Sequence, residues 1–160
     1  MSRPPLSAMI GLVFTATCFL AAILAAWIAP YGMAEAVGDV WAPWSATHLP
    51  GTDSTGRDLL SRMIHGGQVS ICVATAATIL GFTTGSILGS TAAVSGGWVD
   101  QVLSRFVDLM MSIPSLIFAL VVLSAMPVTM LTLVLVMGLL DATRVFRLSR
   151  AVAVGISVVD

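Results

Sequence analysis

VSICVATAATILGFTTGSILGSTAAV, residues 69–94, carries no charged side chain, and the uncharged stretch around it runs from Gly66 to Val99. A helix needs about 20 apolar residues to cross a bilayer, so this segment is long enough to span one. Within it Gly81, Gly85 and Gly89 recur every fourth residue. That spacing lays a smooth groove along one helix face, where a second backbone can approach closely. Such a helix belongs in the middle of a bundle rather than against lipid.

The rest of the chain agrees. Of its 160 residues 58% are hydrophobic and 9% charged, with a mean hydropathy of +1.01. An ordinary soluble domain carries about 25% charged residues and could not build its surface from this composition. The expected class is an all-α integral membrane bundle. There is no lysine, and the net charge of −1 leaves no basic patch for nucleic acid. Cys18 and Cys72 lie in apolar runs, where cysteine behaves as a small hydrophobe.

Upstream, Ala8–Ala29 is a first uncharged run, closed by Trp27, Pro30 and Tyr31. It is longer than the roughly 7–15-residue core of a signal peptide and reads as an uncleaved first span. Residues 32–65 follow as the one substantial loop. There Thr55 and Asp58 suggest a capping box, and Asp58 and Arg62 an i,i+4 pair. Leu59, Leu60, Met63 and Ile64 share a face, which predicts a short amphipathic helix on the membrane surface.

Downstream, Val99, Val102, Leu103, Phe106, Val107 and Met110 fit a helical period opposite Asp100, Ser104, Arg105 and Asp108, predicting a second surface helix. The uncharged run Leu109–Leu140 is divided by Pro114 and Pro127. It predicts a third span from about Val107 to Met126 and a short fourth from Val128 to about Thr143. Four spans place Arg3, Arg105, Arg144, Arg147 and Arg150 inside, and only Arg57 and Arg62 outside. Three spans would leave the densest arginine cluster outside, so four spans with both termini cytoplasmic are expected.

Little here suggests covalent chemistry. Gly51-x4-Gly56-Arg57-Asp58 approaches a phosphate-binding loop but lacks its Lys-Ser/Thr ending, and Asp53 and Asp58 would repel phosphate. His48 and His65, the two histidines, have no ligand spacing to the acids and read as solvated loop residues. No catalytic set, metal site or cofactor site is expected. Asp108 and Asp141 sit at run edges near Arg105 and Arg144, which points to interfacial placement rather than to a proton- or sodium-coupled carrier. Arg144, Arg147 and Arg150 repeat every third residue, either as topology anchors or as an approach to a cytoplasmic partner.

One segment is more specific than all of these. His48-Leu49-Pro50-Gly51-Thr52-Asp53-x-x-Gly56-Arg57-Asp58-Leu59-Leu60-Ser61-Arg62-x-Ile64-x-Gly66 resembles the segment after the first span in the permease subunits of dipeptide, oligopeptide and nickel ABC importers. Ile28–Tyr31, Gly38–Trp41, Arg105–Asp108 with Ile113-Pro114, and Leu140–Arg147 add to the likeness, while Leu139 departs from it where many relatives carry Trp.

The resemblance implies a first segment over residues 1–31, an extracytoplasmic loop over 32–66 and the N-terminal part of a six-helix permease domain over 67–160. In that reading Gly51, Thr52, Asp53, Gly56, Arg57, Asp58, Ser61 and Arg62 form the external family motif. Gly81, Gly85 and Gly89 pack helices, and Arg144, Arg147 and Arg150 lead into the cytoplasmic coupling loop. It further implies a multi-pass protein of the cell inner membrane, itself no enzyme. Its partners would be a second permease subunit, cytoplasmic ATPases that hydrolyse ATP, and an extracytoplasmic binding protein. The family's ATPase-docking loop lies beyond Asp160, so an incomplete permease is expected, with a non-transporting membrane stub that binds partner permeases as the alternative.

Overall fold

The computed structural model describes residues 5–45 and 48–157. Its helices are α1 (Leu6–Ile23), α2 (Ala25–Ile28), α3 (Leu59–Ser95), α4 (Gly97–Ser112), α5 (Ser115–Ala125) and α6 (Met130–Ser157). Among the described residues no strand forms, only isolated bridges between Ala36 and Arg57 and between Thr52 and Asp58. The protein is therefore an all-α membrane protein. Its backbone contacts divide it into two compact units, residues 1–72 and 73–160. Arg3, used in the arginine count, lies outside the described residues, and so does Asp160.

α1 is long and apolar enough to cross a membrane, and so is α3. Leu6, Ile10, Val13 and Phe14 of α1 are all exposed, which suits a lipid environment and not water. Pro30 lies two residues past the end of α2 and fits the stop there, since it has no N–H to continue the ladder.

The expected surface helix at Leu59–Ile64 is not a separate element. It forms the first turns of α3, whose 37 residues reach about 55 Å at 1.5 Å per residue. Gly66 and Gly67 cost about 1 kcal/mol each relative to alanine, but with no proline beside them they do not break the ladder. The start of α3 also differs from expectation. Asp58, not Thr55, caps it: the Asp58 carboxylate accepts the amide of Ser61 at 2.8 Å.

α4 is the amphipathic helix that the periodicity predicts. Its Val107 is buried with Ala92 of α3 and Phe146 of α6, and Leu103 packs against that cluster. The third span is not one continuous helix. The chain bends by 87° between α4 and α5, at Ile113–Pro114, and Pro114 directly precedes α5. The residue before a proline is pushed out of helical geometry, and Ile113 is extended at φ −90° and ψ 127°. Counted as one bent pair, α4 and α5 make a third membrane-crossing candidate. α5 has 11 residues, about 16 Å. The fourth expected segment is the start of α6, which is uncharged only from Met130 to Leu140 before Asp141 and the arginines. Thr132 opens it, its buried hydroxyl donating to the carbonyl of Pro127 at 2.9 Å.

Candidate functional site

The loop between α2 and α3 is built around carboxylates. Gly51 and Gly56 adopt φ of +84° and +71°, and a Cβ at Gly51 would lie 2.5 Å from the carbonyl oxygen of Ala42. A side chain at Gly56 would collide with the carbonyl oxygen of Gly38. Both glycines thus let strands of loop touch backbone to backbone. Between them Asp53 accepts the Thr55 amide and hydroxyl, each at 2.7 Å, and the Arg57 amide at 3.0 Å. These are the inward N–H groups that a phosphate-binding loop would offer to its ligand, and here the chain's own carboxylate takes them.

Arg62 pairs with Asp53, not with Asp58 as its spacing suggested. The Thr55 hydroxyl, then the Arg57 amide, hold the Asp53 carboxyl well below its ordinary value of 3.8, against a smaller opposing effect of burial.

Asp58 is the second hub, and its side chain is almost wholly buried. One oxygen accepts the amide and hydroxyl of Ser61, both at 2.8 Å, and the other meets His48 Nδ1 at 3.3 Å. Burial pushes the Asp58 carboxyl up, but the Ser61 bonds and His48 outweigh it and leave it below its ordinary value. His48 is therefore no solvated loop residue: its ring also lies 5.6 Å from that of Tyr31. The Tyr31 amide donates to Ser61 Oγ at 3.2 Å, which ties the end of the first hydrophobic segment to the first turn of α3. The serine hydroxyl engages the aspartate and not the histidine, so this trio lacks the geometry of an activated nucleophile.

In the second unit, α6 lies directly on the glycine face of α3. A Cβ at Gly81 would come within 2.9 Å of Asp141 Cβ and of the Gly138 carbonyl oxygen. At Gly85 it would meet the Ala142 oxygen at 2.6 Å, and at Gly89 the Phe146 oxygen at 2.7 Å. Gly138 answers from α6, where a Cβ would collide with Leu80.

The three arginines of α6 go to different partners. Arg144 pairs with Asp141 of its own helix at 3.7 Å. Arg147 reaches Met111 Sδ at 3.6 Å, and Arg150 grips Asp100 of α4 through two bonds of 2.5 and 2.6 Å. These contacts make α4 and α6 antiparallel, with a cleft lined by Ser104, Asp108, Arg147 and Arg150 between them. Among the described residues no group of three or more His, Cys, Asp or Glu side chains is placed to hold a metal ion.

The sequence reading missed two features. His48 and Asp58 are ten residues apart and Asp100 and Arg150 fifty apart, with no helical period linking either pair. Asp58 is buried and Asp100 half-buried, and only the fold brings their partners to them.

Comparison with known proteins adds what geometry alone does not. The profile of the family described as binding-protein-dependent transport system inner membrane component matches residues 81–156. The di/tripeptide transport system permease protein DppC of Pseudomonas aeruginosa is 30% identical over 148 residues, covering 88% of this chain and 49% of that protein. The dipeptide transport system permease protein DppC of Haemophilus influenzae is 32% identical over 151 residues, with 90% and 51% covered. The oligopeptide transport system permease protein OppC of Bacillus subtilis is 30% identical over 144 residues, with 88% and 47% covered. The chain thus spans about half the length of the curated relatives it matches.

Proposed function

We propose, since the chain belongs through residues 81–156 to the family of binding-protein-dependent transport system inner membrane components, that it serves as a permease subunit of an ATP-driven peptide importer. The observation that carries this reading is its likeness to three permeases named for di-, tri- or oligopeptide transport, each over close to nine-tenths of this chain. Of the two cargo classes that the resemblance implies, those names favour peptides over nickel ions.

In this role the protein does no covalent chemistry. It would pair with a second permease subunit, take substrate from an extracytoplasmic binding protein and draw energy from cytoplasmic ATPases. Residues 32–66 would face outward and 67–160 would form part of the translocation domain. The Gly81–Gly85–Gly89 seam supports a rigid α3–α6 unit, because backbones in such close contact have no room to slide. Alternating access would then move this pair as one body. Arg144, Arg147 and Arg150 would mark the cytoplasmic approach to the ATPases. Arginine bias supports both termini on the cytoplasmic side of the inner membrane. That parity holds whether α5 and the start of α6 cross the bilayer or dip into it and return.

The test is co-purification of a tagged copy from its native membrane. An ABC ATPase and a second permease should accompany it in detergent, and labelled dipeptide and nickel uptake measured in the same cells should separate the two cargoes. Partners without any uptake would turn the reading toward a non-transporting membrane component, and no partners would refute it.

A further inference from the structure

The loop between α2 and α3 is inverted relative to a water-soluble loop. Its interior is polar, with Thr52, Asp53, Asp58 and Ser61 all buried, while Val40, Trp41, Trp44 and Leu49 are exposed. Trp41 and Trp44 are 72% and 74% exposed. Single exposed apolar residues need no explanation, but four within ten positions around a polar interior do.

The exposure is enforced by the backbone. Trp41 has φ of +57°, the one non-glycine residue with positive φ among those described. Bulky side chains rarely adopt that region, and a residue held there points to a functional demand on its direction. Thr52 does the holding: its hydroxyl accepts the Ala42 amide at 2.8 Å and donates to the Asp39 carbonyl at 2.5 Å, on either side of Trp41. Trp44 and Leu49 adjoin Ser45 and His48, which bond each other through amide, hydroxyl and carbonyl groups at 3.1 Å.

We infer that this apolar edge is seated in the lipid headgroup layer, with Trp41 and Trp44 as interfacial anchors. Two observations select lipid over a protein partner. The loop is clamped at its base by the Tyr31–Ser61 bond, so its feet stay at the level where the first hydrophobic segment ends. Near the end of that segment Trp27 is 89% exposed, so the loop continues the exposed apolar surface of a helix long enough to cross a membrane. Tryptophan suits this depth because its indole N–H keeps a polar partner while the ring leaves water.

Single-tryptophan variants of the full chain, made by Trp→Phe at the other three positions and checked for native helicity, test the inference in vesicles with lipids brominated at shallow or deep acyl positions. Shallow bromines should remove the emission of the Trp41-only and Trp44-only proteins to the same extent as that of a Trp27-only protein, with little loss to aqueous iodide. If a single-tryptophan variant misfolds, Trp41→Phe/Trp44→Phe yields the same comparison by difference from the native chain. Quenching by iodide and not by bromine would overturn the inference. So would shielding that appears only when a partner protein is added.

Discussion

Replacing Gly85 by alanine puts the α3–α6 seam to a quantitative test. The added methyl would stand 2.6 Å from the Ala142 oxygen, 2.7 Å from Val145 Cβ and 3.0 Å from the Phe146 nitrogen. Ordinary contact begins about 1 Å farther out, and all three atoms are fixed to the α6 backbone, so no rotamer change relieves the clash. The helices must separate or shear. Overpacking of this kind costs about 1–3 kcal/mol, partly offset by the roughly 1 kcal/mol that alanine gains over glycine in a helix. Gly66→Ala and Gly67→Ala, which meet nothing within 4 Å, receive only the second effect and should be neutral or stabilising by up to about 1 kcal/mol.

Thermal or SDS unfolding of the purified protein reads the energies. Spin labels at Ile87→Cys and Leu148→Cys, in a Cys18→Ser/Cys72→Ser background, read the helix separation. The prediction is a net loss of up to about 2 kcal/mol and a longer distance for Gly85→Ala, where the Gly66 and Gly67 variants lose nothing. Equal stability and an unchanged distance for Gly85→Ala would refute the seam.

The loop and the α4–α6 cleft yield further expectations. Asp58→Ala removes the cap of α3 and the partner of His48, and should cost about 1–2 kcal/mol and expose the loop to protease, whereas His65→Ala should do neither. Asp53 and Asp58 are both held below their ordinary value of 3.8. Their stabilisation is therefore complete above about pH 4 and is lost as pH falls through the lower folded values, so proteolysis of the loop should rise only under strong acid. A double-mutant cycle on Asp100→Ala and Arg150→Ala should give a coupling of about 1 kcal/mol, the pair being bidentate but partly exposed, while Arg144→Ala with Asp141→Ala should give nearly none. Topology reporters fused after residue 45 and after residue 157 should lie on opposite sides of the membrane.

Much of this architecture was legible in the sequence because lipid imposes a coarse code. Uncharged length marks α1 and α3, glycine spacing marks a packing face, and the six apolar positions of α4 mark its amphipathic stripe. Where the code failed, the cause was local backbone chemistry or long-range pairing. The short surface helix and the span after it were expected as separate elements, but the α3 ladder runs through Gly66 and Gly67 as one helix. Pro114 was legible as a divider, but the 87° turn it marks was not, because a proline shows where a helix must stop and not where the chain goes next. The capping box assigned to Thr55 went to Asp58, since Asp53 had already engaged the Thr55 hydroxyl. Arg62 followed the same rule, choosing Asp53 over its helical neighbour. The family motif was recognisable by pattern, yet its physical content, two carboxylates taking up inward N–H groups, needed coordinates.

The proposed role, a part of the path by which a cell imports peptides at the cost of ATP, is open to a simple uptake experiment. Uptake of a radiolabelled dipeptide into cells that lack the gene carrying this sequence, and into the same cells with the gene restored, measures it directly. Accumulation should collapse on deletion, return on restoration and disappear again when ATP is depleted. Equal accumulation in the three strains (parent, deleted and restored) would contradict it.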